Sequence, residues 1–214
     1  MLFSKFFVSD FRRAKPSFAL RLYGFSLMLF GAEFCSILHM DYKILVTDRC
    51  VLRKPKKEDA EPMFRNWASD PEVTKYLTWT PHESVEVTRE IVGKWIVEEK
   101  DPSTVRFIIT LKGSDEPQGS IDVVGYVDGA PEIGYCLSRR LWGQGLMTEV
   151  CKACVQHLFG LGYQKIVIKA AVDNIGSNRV IQKCGFRFIK AERREHASPL
   201  KPEPVTLNVY ELTK

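Results

Sequence analysis

From residue 132 the chain runs Glu-Ile-Gly-Tyr-Cys-Leu-Ser-Arg-Arg-Leu-Trp-Gly-Gln-Gly-Leu-Met-Thr-Glu, ending at Glu149. Gly143 and Gly145 lack a Cβ, so backbone N–H groups there can approach a bulky anion closely. The apolar residues after them, at 146, 147, 150, 151, 154, 155, 158 and 159, repeat on one side of a helix. A helix starting at this turn adds unpaired amides and a positive dipole end, a combination that suits a pyrophosphate. The same glycines also serve a tight strand-to-helix turn that binds nothing. A nucleoside triphosphate is disfavoured, because the glycines are not followed by Lys-Ser/Thr and no acidic metal ligands accompany them.

The second chemically informative block is Asp173-Asn-Ile-Gly-Ser-Asn-Arg-Val-Ile-Gln-Lys-Cys-Gly-Phe186. It predicts a helix to Cys184, with Gly185 as its left-handed stop. Asn174 can cap that helix, and Ser177 would sit in its first turn. Cys136 offers a thiol, but no partner base stands near it in sequence, which argues against a covalent acyl-enzyme. Cys151-Lys-Ala-Cys154 has no second cysteine pair, and the four histidines lack metal-ligand spacing, so no metal is expected.

These segments need a scaffold. A short strand is expected over 49–53 and a helical stretch from 56 carrying Met63, Phe64 and Trp67, then a second helix over 84–99 with Val87, Ile91, Trp95 and Ile96 on one face. Strands over 105–111, 118–125 and 130–137 are joined by charged, Gly-containing links, the pattern of antiparallel hairpins. The helix over 146–159, a strand over 165–172, the helix at 173–184 and strands over 186–189 and 205–210 follow. The sum is a mixed α+β fold, one sheet with about four helices packed on it.

With 214 residues, 45% hydrophobic and 27% charged, the chain fits one globular domain plus an extension. Residues 1–39 hold Lys5, Arg12, Arg13, Lys15 and Arg21 against Asp10 and Glu33, which leaves the remainder almost balanced in charge. A body without concentrated positive charge argues against nucleic acid as a partner. Six scattered cysteines in a chain of this size point to reduced thiols and a cytoplasmic protein. The charge-free stretch from Leu22 to Ala32 matches a signal-peptide core and is too short to span a membrane. Three readings of residues 1–40 therefore stand side by side: a dispensable leader or mis-assigned start ahead of Met40, a surface-bound amphipathic segment, and an export or anchoring signal. Membrane contact, if any, is expected only through them.

Arg140-x-x-Gly143-x-Gly145 after a strand resembles the acyl-CoA-binding signature of the GNAT superfamily of N-acetyltransferases. The fuller string around it, the block from Asn174 to Phe186 and the start Arg49-Cys-Val-Leu-Arg-Lys-Pro55 are similar to the RimJ/RimL-like branch, which contains the ribosomal-protein N-terminal acetyltransferases. The resemblance covers about residues 47–213.

That resemblance implies a twisted, mostly antiparallel sheet splayed between its fourth and fifth strands, here about 131–137 and 165–172, with the pantetheine arm of acetyl-CoA laid in the gap like an added strand. It further implies that the backbones of Cys136 and Leu137 face the arm and that Arg140, Leu141, Trp142, Gly143, Gln144 and Gly145 hold the pyrophosphate. Leu146 and Met147 continue the cofactor-binding set, and Asn174 and Ser177 lie near the arm and its thioester end. Glu132 is the expected base for the acceptor amine, with an ordinary strand carboxylate paired to a nearby Lys or Arg as the competing role. Ser177 is the candidate donor to the leaving sulfur, and Tyr135 and Tyr163 are alternatives. The expected reaction is acetyl transfer from acetyl-CoA to a primary amine, a protein N-terminus or a small molecule, by a monomer or homodimer. A catalytically inactive CoA-binding regulatory module is the competing function. Residues 60–100, including Trp67, Tyr76, Trp79 and His82, and the Pro-rich 197–204 are expected to flank the acceptor groove.

Overall fold

A computed structural model describes residues 44–196, 198 and 200–214. The expectations for residues 1–40 lie outside the described residues. Eight strands form one sheet, β1 Leu45–Val46, β2 Cys50–Arg53, β3 Arg106–Leu111, β4 Pro117–Val127, β5 Ala130–Leu137, β6 Lys165–Ala171, β7 Arg187–Arg194 and β8 Val205–Thr213, in the order β1-β2-β3-β4-β5-β6-β8-β7. Neighbours are antiparallel except β5 and β6. The helices are α1 Ala60–Met63, α2 Pro71–Thr74, α3 Val85–Glu98, α4 Leu146–Gly160 and α5 Ile175–Lys183.

The parallel pair makes only two register contacts, Glu132↔Val167 and Ile133↔Ile168. Beyond them β6 continues on β8 while β5 continues on β4, so the two strands part from Gly134 onward. This is the expected splay, and the fold is the expected GNAT-like mixed sheet with helices on it. The sequence pattern missed β1, which has two residues, and α2, which has four; both are too short to show a period.

Alternation along the strands assigns the two faces. Ile109, Ile121, Ile133, Ile166 and Ile168 point to one face, where Val150, Cys151, Cys154 and Leu158 of α4 complete the core. Both cysteines of the C-x-x-C are fully buried there, as small apolar residues on a helix face. On the opposite face Met63 and Trp67 pack with Val92 of α3 and the partly buried Trp95, Ile96 and Cys136. The α1 helix runs directly into a π turn over Phe64–Ala68. A buried ion pair, Arg53 to Asp59 at 2.7 Å, fixes the start of this helical layer against β2.

The α5 helix shows why its sequence stops and starts where it does. Asn174 is its N-cap, its side-chain oxygen accepting from the Ser177 amide at 3.1 Å. Gly185 takes φ +89°, the conformation that ends the helix. Buried Asn178 donates to the Ala171 carbonyl at 2.9 Å and accepts from the Tyr210 hydroxyl at 2.7 Å, holding α5 on the end of β6 and the middle of β8.

Candidate active site

The parting of β5 from β6 leaves backbone groups without strand partners. N–H and C=O of alternate residues point to opposite edges of a strand. Ser138 N–H bonds back to Gln118 of β4, and a Cβ placed on Gly119 would lie 2.3 Å from the Cys136 carbonyl oxygen. Residues 136 and 138 therefore address β4, and Tyr135 and Leu137 address the gap. This corrects the expectation that the Cys136 backbone lines the gap; Leu137 does, and Tyr135 takes the other place. The physical reason is parity, because one step along a strand reverses the edge a residue serves.

The Cys136 side chain lies on the α3 face, with its Sγ 3.5 Å from Ser120 Oγ. Burial pushes its thiol up to about 11, so it is protonated near neutrality. That environment is the opposite of what an acyl-accepting thiolate needs.

At the end of β5 the turn reverses into α4. Gly143 and Gly145 adopt φ +74° and +77°, and Gly145 is the N-cap of α4 with no side chain capping the helix. The first-turn amides thus have no internal acceptor. The Leu146 and Met147 side chains are buried in the core, so these two residues offer the turn only their backbone. The turn is braced from outside. Arg140 donates to Gln118 Oε1 at 2.7 Å, the Trp142 indole donates to the Leu137 carbonyl at 2.8 Å, and Gln144 donates to the Arg140 carbonyl at 3.0 Å. Arg49, which precedes β2, donates to the Gln144 carbonyl at 2.9 Å and pairs with Glu149 at 2.8 Å. No local signal marks Arg49, since it meets this turn from about a hundred residues away in sequence.

Two carboxylates stand on the α3 face near the point of divergence. Glu132 is ion-paired with Lys169 of β6 at 3.0 Å, with about 21% of its side chain exposed. Asp122 of β4, which no motif or spacing in the sequence singles out, lies directly opposite Gly134 in the β4–β5 register and opposite Arg106 in the β3–β4 register. Its carboxylate is 3.5 Å from Arg106 Nε, while Glu98 holds the same guanidinium more closely, at 2.7 Å. Loss of water raises Asp122 from an ordinary 3.8 to about 6, against the attraction of Arg106.

Ser177 and Tyr135 meet on the α4–α5 face, where their hydroxyls are 2.9 Å apart. Burial is the main cause holding the Tyr135 phenol well above its ordinary value. Tyr163 instead pairs with the Tyr126 hydroxyl at 3.2 Å, and the partly exposed Tyr126 lies toward the β4–β5 hairpin tip. Of the two tyrosines, Tyr135 alone joins Ser177.

The expected groove aromatics separate. Trp67 is fully buried, Trp79 packs on the α1–α3 core, and His82 bonds to Thr88 at 2.8 Å. Tyr76 remains exposed and donates to the Asp173 carbonyl at 3.2 Å, linking the segment after α2 to the end of β6. From the β7–β8 connection Lys201 reaches the Thr74 and Lys75 carbonyls. Among the described residues no group of three metal-ligating side chains occurs, and no helix is long and apolar enough to cross a membrane.

Comparisons with known proteins add to this geometry. The family model described as "Acetyltransferase (GNAT) domain" matches residues 49–187. An uncharacterized N-acetyltransferase, p20 of Bacillus licheniformis, is 32% identical over 146 residues, covering 67% of this chain and 82% of the relative. The microcin C7 self-immunity acetyltransferase MccE, solved with acetyl-CoA and AMP, superposes with a TM-score of 0.68 at 20% identity, over 78% of this chain and 93% of that one. A Salmonella typhimurium acetyltransferase that modifies the N-terminal serine of 50S ribosomal subunit protein L7/L12 gives 0.68 at 22%, over 80% and 99%.

Proposed function

The chain belongs to the GNAT acetyltransferases, and on that footing we propose that it transfers the acetyl group of acetyl-CoA directly to a primary amine. The observation that carries the proposal is continuous along β5. A strand edge without a strand partner at Tyr135 and Leu137, its Leu137 carbonyl held by the Trp142 indole, runs into an uncapped helix N-terminus behind two left-handed glycines. A thioester arm can hydrogen-bond to the edge as an added strand would, and a diphosphate can sit against the free amides of α4. In this reading residues 47–213 form the catalytic domain, residues 1–40 are an extension, and the reaction takes place in the cytoplasm.

The protein's part in the chemistry is modest. It must align amine and thioester, accept a proton from the amine, and supply one to the departing sulfur. In this reading Ser177 donates to that sulfur, and the Tyr135 hydroxyl, 2.9 Å from the Ser177 hydroxyl, re-protonates that serine. Glu132 is one carboxylate available to the amine, on the same face as Cys136. Its pairing with Lys169 engages it already, so it acts only if that pair is shared with the acceptor. Arg140 and Trp142 serve by bracing the turn, and Asn174 by capping α5 over the arm.

A protein N-terminus and a small-molecule amine are both acceptors of the right chemistry. The α-amino group, with a pKa of about 8, yields its proton far more readily than lysine. The likeness to the enzyme acting on the L7/L12 N-terminal serine supports trying such peptides first. The deciding experiment is transfer from labelled acetyl-CoA to matched peptides beginning with Ser, Ala, Thr and Met, alongside a panel of small amines. Transfer to at least one is expected. Tight CoA binding without transfer to any would favour the inactive regulatory module instead.

A further inference from the structure

We propose that Asp122, rather than Glu132, is the carboxylate that receives the acceptor ammonium and takes its proton. The inference rests on the acetyltransferase reading above and deepens it. Asp122 stands on β4 opposite Gly134, the first β5 residue beyond the last β5–β6 pair. Gly134 puts no side chain of its own between that carboxylate and the opening gap, and the neighbouring Val124 fills the space above it. The bulge that follows, between Val123 and Gly125, turns Val124 onto Gly134, so that a Cβ there would meet Val124 Cγ1 at 2.6 Å. The glycine is thus required by close packing with Val124, and Asp122 stands one strand in from the gap on the α3 face.

The two candidate carboxylates differ in what already occupies them. Glu132 has a lysine ammonium at 3.0 Å that no other carboxylate approaches as closely. Asp122 has a cation only at 3.5 Å, and that cation is committed to Glu98 at 2.7 Å and lies 4.9 Å from the centre of the Trp95 ring. Asp122 is also poorly hydrated, with 18% of its side chain exposed. A carboxylate short of both water and counter-charge gains most from an incoming ammonium. The charged and titratable groups facing it are Arg106 on β3, Glu98 on α3 and Cys136 on β5, with Cys154 of α4 below the sheet.

In the step, the Asp122 carboxylate accepts one proton from the alkylammonium, leaving a neutral amine. The amine nitrogen bonds to the thioester carbonyl carbon, and the C–S bond breaks with its electron pair going to sulfur. The second proton lost from nitrogen is matched by the one that sulfur gains. Asp122 then returns its proton to solvent, so the net products are the amide, the free thiol and one proton.

The test compares Asp122→Asn and Glu132→Gln with the wild type, using the best acceptor peptide of the panel. A general base typically contributes at least about 100-fold, so Asp122→Asn should lose about that in kcat at neutral pH, with KM for acetyl-CoA unchanged. The acidic limb of its kcat profile should move up towards the amine's own pKa of about 8, because only already neutral amine then reacts. Glu132→Gln should keep the wild-type limb. Titration of the 13C-labelled Asp122 carboxyl in the wild type gives a second readout that needs no variant to fold, and its midpoint should move down on adding the acceptor peptide. Asp122→Asn with kcat within threefold and an unmoved limb, or a carboxyl midpoint indifferent to the peptide, overturns the assignment alone. A wild type that acetylates none of the amines overturns the functional reading and this inference with it.

Discussion

Replacing Asp122 by Asn should stabilise the fold at neutral pH and do so progressively less in acid. The carboxyl is raised from 3.8 to about 6 chiefly because burial removes its water. A group that holds its proton more tightly in the fold than in the unfolded chain contributes stability that is full below about pH 4 and is lost as pH rises through about 6. The whole difference corresponds to about 3 kcal/mol at neutrality. At about pH 4.5, where the unfolded carboxyl has already ionised and the folded one has not, roughly 1 kcal/mol of it is already expressed. Asparagine keeps the shape without the charge, so its stability relative to wild type should rise by about 2 kcal/mol between about pH 4.5 and 7.5. The Arg106 partnership with Glu98 persists in the variant, and arginine does not titrate in this range. Urea unfolding at the two pH values, with equal slopes for both proteins, measures the quantity directly. A relative stability that is constant within about 0.5 kcal/mol would refute the reasoning. A trend of the opposite sign would mean that attraction to Arg106 outweighs lost hydration.

Two further perturbations follow from the site. Gly119→Ala would bring a methyl to 2.3 Å from the Cys136 carbonyl oxygen and 3.0 Å from Leu137 Cα, both backbone atoms of a central strand; a loss of about 3 kcal/mol is expected in denaturant unfolding, and a loss under about 1 would show that β5 can yield. Tyr135→Phe removes the hydroxyl bonded to Ser177 and should lower kcat about tenfold with KM for acetyl-CoA unchanged, while stability changes by about 1 kcal/mol or less. Wild-type turnover in that variant would show that Ser177 needs no partner.

What could be read in the sequence is what neighbouring residues decide among themselves. The left-handed turn at Gly143 and Gly145, the Asn174 cap, the stop at Gly185 and the one-sided burial of α4 each depend on conformational limits or periodicity within a few residues. Those local features, matched to a family pattern, were enough to anticipate the splayed sheet. They also put Leu137 on the edge of β5 that faces away from β4. The assignment of Cys136 to the same edge missed by one residue, because edge parity depends on which strand lies on each side.

The rest was decided by register and strand order. Glu132 meets Lys169 only because β5 and β6 pair in parallel at 132 and 167, and Asp122 meets Arg106 and Gly134 only because β4 lies between β3 and β5. Tyr135 finds Ser177 across 42 positions of chain, and Arg49 finds Glu149 across 100. No spacing in the sequence encodes such meetings. The sequence by itself therefore determined where the left-handed turn and the helix start would be. Tertiary structure alone decided which of the two carboxylates near the divergence, Asp122 or Glu132, is left with the weaker counter-charge, since pairing belongs to the packed environment and not to the residue type.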